Sequence, residues 1–392
     1  MPWREVKPMD ERVLFIGDYL RGARRSFAEL CRCYGISRKT GYKWVERYRS
    51  ASLEGLYDQS RKPHRHPDAI PYAIQQAIIE NRQIGRMTLG PKKIQQRLLD
   101  AFPDIAVPSV TSIHNVLKRH GLIEERRVRR RISPYPNPFA PVTEPNDLWS
   151  VDFKGQFKLR SGQWCFPLTV MDHQSRFLLG CQGLAGTSTI PAKRVFERLF
   201  REYGLPKRIR SDNGVPFATK TPGGLSILSV WWIRLGIIPE RIKPGRPQQN
   251  GCHERMHRTL KDAVAKPVAA TMKEKQDRMD AFRRDYNEQR PHESLAQQRP
   301  ALCYTTSDRP YPKKLPVLEY PSYFMVMKVR RSGVIYWGGG QIYVSHNLQG
   351  EYVGLEQIDD GVWDIYFGPV RLGGFDQRKA GGNLTPYWTL KV

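Results

Sequence analysis

The chain has 392 residues, of which 64 are lysine or arginine and 38 are aspartate or glutamate, so its formal net charge is +26. This length allows two to four domains, and the charge indicates a polyanionic partner, with nucleic acid favoured over an anionic membrane surface. No apolar stretch reaches the length of a membrane span, the N-terminus does not resemble a signal peptide, and the six cysteines show no framework spacing. We therefore expect a cytoplasmic protein with reduced thiols and no membrane partner.

Residues 1–60 are predicted to form a helix-turn-helix DNA-binding domain. The stretch 9–49 has the pattern of three helices, in which Ser26 and Glu29 form a capping box before the second helix and Ser37 caps the third. The third helix would present four side chains to a DNA major groove, namely Arg38, Lys39, Tyr42 and Lys43. A small helical bundle with a solvated basic face is the alternative, and the net charge favours DNA.

Residues 61–132 are predicted to form a second helix-turn-helix domain, of the winged kind, with a basic linker. Helical patterns begin at Ile70 and at Pro91, and a third follows the capping residue Ser109. A charge run at the end of this region is of a type that is usually a solvated linker. Because it joins DNA-binding heads to a candidate DNA enzyme, we favour phosphate contact by its arginines, which are Arg126, Arg127, Arg129, Arg130 and Arg131.

Residues 145–300, which follow a proline-rich boundary, are predicted to form an α/β domain. Alternation of apolar and polar residues indicates a strand over Leu148–Phe157, and two turn signals convert the following residues into a three-stranded antiparallel meander. Helix, strand, helix, strand and helix patterns then follow in that order. This order of elements is expected of an RNase-H-like domain.

Three acidic residues on three separate elements form the candidate site. Asp152 lies in the first strand, Asp212 comes between a short strand and a turn signal, and Glu254 lies near the start of a helix. Arg258 and Lys261 are expected on the same face of that helix as Glu254. Carboxylates beside cations favour a phosphate substrate, and together they suggest a metal-dependent phosphoryl-transfer site.

Two further acids are assigned to structural roles. Asp172 lies in a predicted hairpin turn, where aspartate is favoured for its local hydrogen bonds. Glu240 precedes Arg241, with which it is expected to form an exposed ion pair.

The motifs around the three acids resemble the integrase core of DDE transposases from bacterial insertion sequences, which are relatives of retroviral integrases. The matching segments are Asp152, the SDNG sequence at 211–214, the PQQNG sequence at 247–251, Glu254 with the residues up to Lys261, and the YN and RPH sequences between 286 and 292. The spacing from Asp212 to Glu254 exceeds the family's commonest one, and we place the excess in the loop 221–224.

The resemblance implies a mechanism and a set of partners. The protein would bind the terminal repeats of a mobile element in double-stranded DNA, cleave the ends, and join the 3′-hydroxyls to target DNA. Two Mg²⁺ ions, with Mn²⁺ as a substitute, would be held by Asp152 bridging both ions and by Asp212 and Glu254 at one ion each. The resemblance also implies a multimer on DNA and a bacterial, nucleoid-associated location.

Two other functions compete with transposition. A non-catalytic, sequence-specific DNA-binding regulator could retain the integrase fold, but its mark would be a broken set of acids, and all three acids are present here. A plain RNase-H-like nuclease would cut without joining and would not need two DNA-reading heads.

Residues 315–392 are predicted to form a small β-barrel. Short strand patterns alternate with tight turn signals, including Asp360-Gly361, across this region.

Overall fold

A computed structural model describes residues 8–22, 26–59, 69–123, 140–243, 247–378 and 385–386. The chain divides into two compact units, residues 1–69 and residues 70–392. The predicted basic linker, 126–131, lies outside the described residues. Within the described ranges, no helix combines the length and the apolar character needed to cross a membrane.

The first unit is built from three helices, α1 (Pro8–Leu20), α2 (Phe27–Cys33) and α3 (Arg38–Ala51). Ser26 and Glu29 form the expected capping box, and Ser37 Oγ accepts a hydrogen bond from the Thr40 amide. Gly41 lets α3 approach α2 closely, since a Cβ at this position would lie 2.5 Å from Cys31 Sγ. The prediction of three helices with these two caps is confirmed.

The second unit opens with three further helices, α4 (Tyr72–Glu80), α5 (Pro91–Ala101) and α6 (Val110–Arg119). A short antiparallel hairpin, β1 (Gln83–Ile84) and β2 (Met87–Thr88), lies between α4 and α5. Ser109 caps α6, as its position in the sequence predicts. The chain from 124 to 139, where a wing would follow the third helix, lies outside the described residues.

A mixed sheet forms the centre of the second unit. Its strands are β3 (Leu148–Phe153), β4 (Phe157–Lys158), β5 (Trp164–Asp172), β6 (Leu178–Leu184), β7 (Arg208–Ser211) and β8 (Ile238–Arg241). The main order is β6-β5-β3-β7-β8, with β4 paired to the start of β5. The pairs β3–β5 and β5–β6 are antiparallel, whereas β3–β7 and β7–β8 are parallel. This is the sheet expected of an RNase-H-like domain.

Helices cover both faces of this sheet and give it two apolar cores. The helices are α7 (Thr189–Tyr203), α8 (Ile227–Arg234), α9 (Gly251–Val264), α10 (Met272–Glu288) and the short α11 (Pro300–Cys303). Trp149 and Val151 pack against α7 and α8 on one face. Met171 and Leu178 pack against α9 and α10 on the other. The central strands β5 and β6 are therefore buried on both sides over most of their length, which explains their mostly apolar sequences.

The helices α4 to α6 share their apolar core with the sheet domain. Ile78, Leu98 and Leu117 belong to the same buried cluster as Met279 and Tyr286 of α10. Polar contacts reinforce the docking, because the Arg97 guanidinium donates to the Gln289 carbonyl oxygen at 3.2 Å. The second helical region is thus part of the larger compact unit.

The C-terminal strands form an open antiparallel sheet and a hairpin. They are β9 (Met325–Lys328), β10 (Val334–Trp337), β11 (Gly340–Tyr343), β12 (Tyr352–Asp359), β13 (Val362–Phe367), β14 (Val370–Asp376) and β15 (Thr385–Pro386). Five of them follow the order β15-β14-β13-β12-β9, and β10 pairs with β11 alone. Among the described residues the edge strands β9 and β15 do not pair, so the closed barrel is not confirmed. The core is instead covered by the hairpin, whose Ile335 and Ile342 pack with Leu355.

Candidate active site

Two parallel strands bring the first two acids to one edge of the sheet. Asp152 is the penultimate residue of β3, and Asp212 directly follows β7. The two strands are parallel, with Ser150 opposite Arg210, so their carboxyl ends lie side by side. Glu254 lies in the first turn of α9, which packs on this side of the sheet, and its side chain is exposed.

The three carboxylates interact electrostatically. Burial raises the pKa of Asp152 from 3.8 to about 7, and the charges of Asp212 and Glu254 act in the same direction, while Lys154 acts against them. The Asp152 side chain is 24% exposed. Within the described ranges, none of the three acids forms an ion pair with a lysine or an arginine. Lys154 therefore offsets only part of the negative charge at this site.

The turn after β7 holds Asp212 in place. The Gly214 amide donates to Asp212 Oδ1 at 3.1 Å. The neighbouring Asn213 Nδ2 donates to the Ile242 carbonyl oxygen at 2.7 Å, which ties the turn to the end of β8. The Asn-Gly signal in the sequence thus corresponds to a turn that fixes a carboxylate beside the sheet edge.

A buried hydrogen-bond network ties α9 to the strands that carry the site. Ser150 Oγ lies 2.9 Å from His253 Nδ1. Thr169 Oγ1 lies 2.7 Å from both His253 Nε2 and His257 Nε2, and it donates to the Asp152 carbonyl oxygen at 2.9 Å. Because the threonine has a single hydroxyl proton, both histidines must donate from Nε2.

Both histidines of this network are buried, and burial lowers their pKa values. Ser150 Oγ lies 2.9 Å from His253 Nδ1 and also 3.3 Å from the Met171 carbonyl oxygen, and burial lowers the pKa of His253 to about 3. Burial is the main cause that lowers the pKa of His257, and the electrostatic effect of His253 acts in the same direction. His257 Nδ1 lies 3.6 Å from Asp152 Oδ2. The two histidines flank Glu254 along α9, so the network sets the position of the helix that carries it.

Sequence reasoning gave Ser150, Thr169 and His253 no role. The signal that would have found them is a polar residue at an inward position of two apolar strands, combined with histidines four residues apart on one helix face.

Carboxylate oxygens are suitable ligands for divalent cations. Among the described residues, no three side chains from His, Cys, Asp and Glu are grouped so as to hold a single ion. Mg²⁺ is commonly held by one or two carboxylates, with water and substrate phosphate completing its shell. Asp152 interacts electrostatically with both Asp212 and Glu254.

The other acids occupy structural positions. The Asp172 carboxylate accepts hydrogen bonds from the amides of Asn146 and Ser175, which confirms its role in the turn. The expected exposed pair of Glu240 with Arg241 is wrong. Glu240 is 11% exposed and pairs instead with Arg208 at 2.6 Å and Arg210 at 3.0 Å, because the parallel register of β7 and β8 places it opposite Arg210.

The predicted DNA contacts fall into three groups. On α3, the side chains of Arg38, Lys39, Tyr42 and Lys43 are all exposed. The Tyr42 ring also stacks on Phe27, with ring centroids 4.2 Å apart. On α9, Arg258 and Lys261 are exposed and follow Glu254 by one and two turns. The third group comprises residues outside the described ranges, namely Arg126, Arg127, Arg129, Arg130 and Arg131.

Family models match successive parts of the chain. A helix-turn-helix domain matches residues 11–64 and a homeodomain-like domain matches residues 40–117. Two integrase core domain models match residues 142–247 and 235–300, a range that includes all three acids. The C-terminal domain of IS481 family transposases matches residues 324–383.

Similar proteins come from insertion elements and from retroviruses. An uncharacterised protein of insertion element IS407 from Burkholderia multivorans is 29% identical over 47% of this chain and 64% of its own length. An uncharacterised protein of insertion element IS476 from Xanthomonas euvesicatoria is 25% identical over 72% of this chain and 79% of its own. The Gag-Pol polyprotein of baboon endogenous virus is 33% identical over 32% of this chain and 7% of its own length.

A solved structure of the simian T-cell lymphotropic virus intasome matches 70% of this chain and 92% of its own, at 15% identity and a TM-score of 0.37. The chain therefore has helix-turn-helix domains followed by an integrase core domain, and it is related to the transposases of bacterial insertion sequences.

Proposed function

We propose that this protein is a DNA transposase that binds the terminal repeats of its mobile element, cleaves the element ends and joins the freed 3′-hydroxyls to target DNA. One observation carries the proposal. Asp152, Asp212 and Glu254 interact within an integrase core, and among the described residues no lysine or arginine pairs with them. A group of carboxylates that is compensated only in part is costly unless it serves to hold cations.

The three acids would hold two Mg²⁺ ions, or Mn²⁺ in their place. Asp152 would help to hold both ions, and Asp212 and Glu254 would each help to hold one of them. Divalent cations bound in this way activate the attacking oxygen and stabilise the leaving oxygen of a phosphodiester.

The chain's own contribution is to position these groups and the DNA. The turn at Gly214 and the network at Thr169 hold the acids before substrate arrives. Arg258 and Lys261, on exposed turns of α9 after Glu254, would bind the phosphates that flank the reacting one. The attacking group is a water molecule for cleavage and a DNA 3′-hydroxyl for joining, so no covalent bond forms between protein and DNA.

Recognition of double-stranded DNA would come from the helical regions. Arg38, Lys39, Tyr42 and Lys43 are exposed side by side on α3, which suits entry into a major groove. The arginines of the basic linker would add phosphate contacts that do not depend on sequence.

A multimer assembled on paired element ends follows from the number of active sites. Joining two ends to one target needs two sets of acids, and each chain has one. The apolar face of α10, with Met279, Phe282 and Tyr286, is buried within the chain, so we place the contacts between subunits at the C-terminal sheet. A net charge of +26 keeps free chains apart until DNA neutralises it. We place the complex on the nucleoid of a bacterial cytoplasm.

The test is a joining assay with element-end DNA, a plasmid target and Mg²⁺. Wild-type protein should yield joined products, whereas Asp152→Asn, Asp212→Asn and Glu254→Gln should each yield none and still bind end DNA. Asp262→Asn is the matched control, because Asp262 is exposed on the same helix as Glu254.

Each competing function has its own result in this assay. A regulator would bind end DNA with no wild-type product of any kind, and a nuclease would cut the DNA without joining it. Full joining by any one of the three acid variants would contradict the assignment of that residue.

A further inference from the structure

Side chains from three elements meet at a basic site that is separate from the three acids. We call it the basic cluster, and its members are Lys93, Arg176, Arg290 and His292. Arg176 lies in the turn between β5 and β6, and its Nε donates to Ser294 Oγ at 3.3 Å. Lys93 of α5 donates to the carbonyl oxygen of Pro291. The four groups therefore converge on the loop that follows α10.

The two residues of the cluster in that loop pack on one aromatic ring. The His292 ring lies 4.8 Å from the Tyr286 ring, edge to face. The Arg290 guanidinium lies over the same ring at 6.0 Å. Tyr286 is itself buried, so this ring is a rigid base for both polar side chains.

The cluster contains polar atoms that are buried and have no hydrogen-bond partner among the described residues. They are Arg290 Nε and Nη1, Arg176 Nη1 and His292 Nε2. Buried guanidinium N–H groups without acceptors are rare in folded proteins, because each forgoes its hydrogen bonds to water. Their grouping at one place indicates an acceptor that the chain does not supply.

The charge of the cluster points the same way. Burial, followed by Lys93, Arg290 and Arg176, lowers the pKa of His292, and burial together with Arg290 lowers the pKa of Lys93 to about 8. Glu293 is the acid that acts on Lys93, but it is 71% exposed and pairs with Lys92 at 2.6 Å. Asp172 acts on Arg176 and Glu293 acts on Lys93, so the charges of these partly buried cations are compensated only in part, and a bound anion would reduce their mutual repulsion.

The position of the cluster separates it from the carboxylates. The His173 amide donates to the Leu148 carbonyl oxygen, so the turn that carries Arg176 lies at the start of β3, whereas Asp152 lies near its end. Four residues of strand span about 13 Å. Arg176 also lines an open cleft of about 370 Å³ with His173, Gln174 and Arg210.

We propose that the basic cluster binds one backbone phosphate of a DNA strand, with the strand continuing along the cleft beside Arg176. A phosphodiester offers two free oxygens and one negative charge, which match the fork of a guanidinium. Since Lys93 belongs to the helix α5 and Arg290 to the loop after α10, a phosphate held there would contact the second helical region and the integrase core together. This inference rests on the proposed function as a DNA-binding enzyme.

The first experiment tests the anion site without DNA. Thermal unfolding of the full chain is compared in sodium chloride and in sodium phosphate at equal ionic strength. Phosphate should raise the Tm of the wild type, and the double variant Arg176→Gln/Arg290→Gln should lose that rise. The matched control is Arg194→Gln/Arg198→Gln, which removes two exposed arginines from α7 on the other face of the sheet and should keep it.

The second experiment identifies the source of the phosphate. Element-end DNA is prepared with a single uncharged methylphosphonate at each backbone position in turn, and its binding to the full chain is measured. One position should weaken binding of the wild type by about 10- to 100-fold, the range for a charged hydrogen bond, and should have no effect on the double variant. The slope of log affinity against log salt concentration should also be less steep for the double variant, by the amount expected for about one phosphate contact.

Three results would overturn the proposal. The first is a phosphate-dependent rise in Tm that is absent in the wild type or unchanged in the double variant. The second is a normal phosphate response with no methylphosphonate position that distinguishes wild type from variant, which would assign the cluster to free phosphate or an acidic peptide. The third is a chain that does not bind end DNA at all, which refutes the proposed function while the phosphate experiment still reports on the cluster. If the double variant does not fold, Arg176→Gln alone should shift both readouts in the same direction.

Discussion

Removing the charge of Asp152 should stabilise the metal-free protein at neutral and alkaline pH. The carboxyl has a pKa of about 7 in the folded chain and an ordinary value of 3.8, so between these values the folded state keeps a proton that the unfolded state releases. Ionisation in this window therefore favours unfolding, and stability that is present below about pH 4 is lost as the pH rises through about 7. Asp152→Asn removes that loss.

The size of the effect follows from the pKa difference. The interval from 3.8 to about 7 corresponds to about 4 kcal/mol, at about 1.4 kcal/mol for each pKa unit. Because the Asp152 side chain is 24% exposed, solvent screens part of this energy, and we expect a gain of about 2–4 kcal/mol at about pH 8. The gain should shrink towards about pH 5, where the folded carboxyl is protonated.

The assay is urea unfolding of the full chain in the presence of a chelator, followed by tryptophan fluorescence. Trp149, Trp231 and Trp232 are buried in the sheet domain and report on its transition. Comparing wild type with variant at each pH cancels the contributions of buried histidines away from Asp152, such as His173 and His292, whose lowered pKa values act on both proteins alike. Adding Mg²⁺ at about pH 8 should then stabilise the wild type more than Asp152→Asn, which lacks the carboxylate that we propose as a metal ligand.

Asp262→Asn on α9 should show neither effect, since its side chain is exposed. The reasoning is refuted if Asp152→Asn is no more stable than wild type at about pH 8, or if its advantage does not grow between about pH 5 and 8.

Three further predictions follow from the packing and the charge. Thr169→Val leaves two histidine N–H groups and a carbonyl without their partner, so urea unfolding should show a free energy of unfolding lower by about 2–4 kcal/mol. The control Thr259→Val removes one hydrogen bond on α9 and should lower the free energy of unfolding by less than about 1 kcal/mol. Equal losses would argue against the network. A fragment of residues 1–69 has its own apolar core and should melt cooperatively in circular dichroism; a gradual loss of signal would contradict this. Affinity of the full chain for end DNA should fall by about 10³–10⁵ between about 50 and 200 mM salt, and an unchanged affinity would rule out the phosphate contacts.

Local sequence patterns were sufficient to predict the elements that carry the acids. The strand of Asp152 is marked by alternation, the end of the Asp212 strand by Asn-Gly, and the helices of the first unit by Ser26 and Ser37. These signals depend on residues within a few positions of one another. The resemblance to transposases then indicated that the three acids belong to one site.

Contacts between distant segments could not be predicted in this way. Ile78 and Leu98 have the spacing of an ordinary helical core, and nothing local shows that α10 completes it. Glu240 was paired with its neighbour Arg241, because the register that sets it against Arg210 arises only when β7 and β8 align. The C-terminal strands were recognised, but short strands and turns do not show whether a sheet closes on itself.

The most direct test of the account uses element ends that terminate in a 3′-hydroxyl or in a 3′-dideoxy nucleotide. Both ends are incubated with wild-type protein, a plasmid target and Mg²⁺, and the joined products are measured beside the binding of each end. The account predicts that both ends bind with equal affinity, that only the 3′-hydroxyl end is joined, and that no protein becomes covalently attached to DNA. Joining of the dideoxy end, or a covalent protein–DNA product, would contradict direct attack by the DNA hydroxyl at the site of Asp152, Asp212 and Glu254.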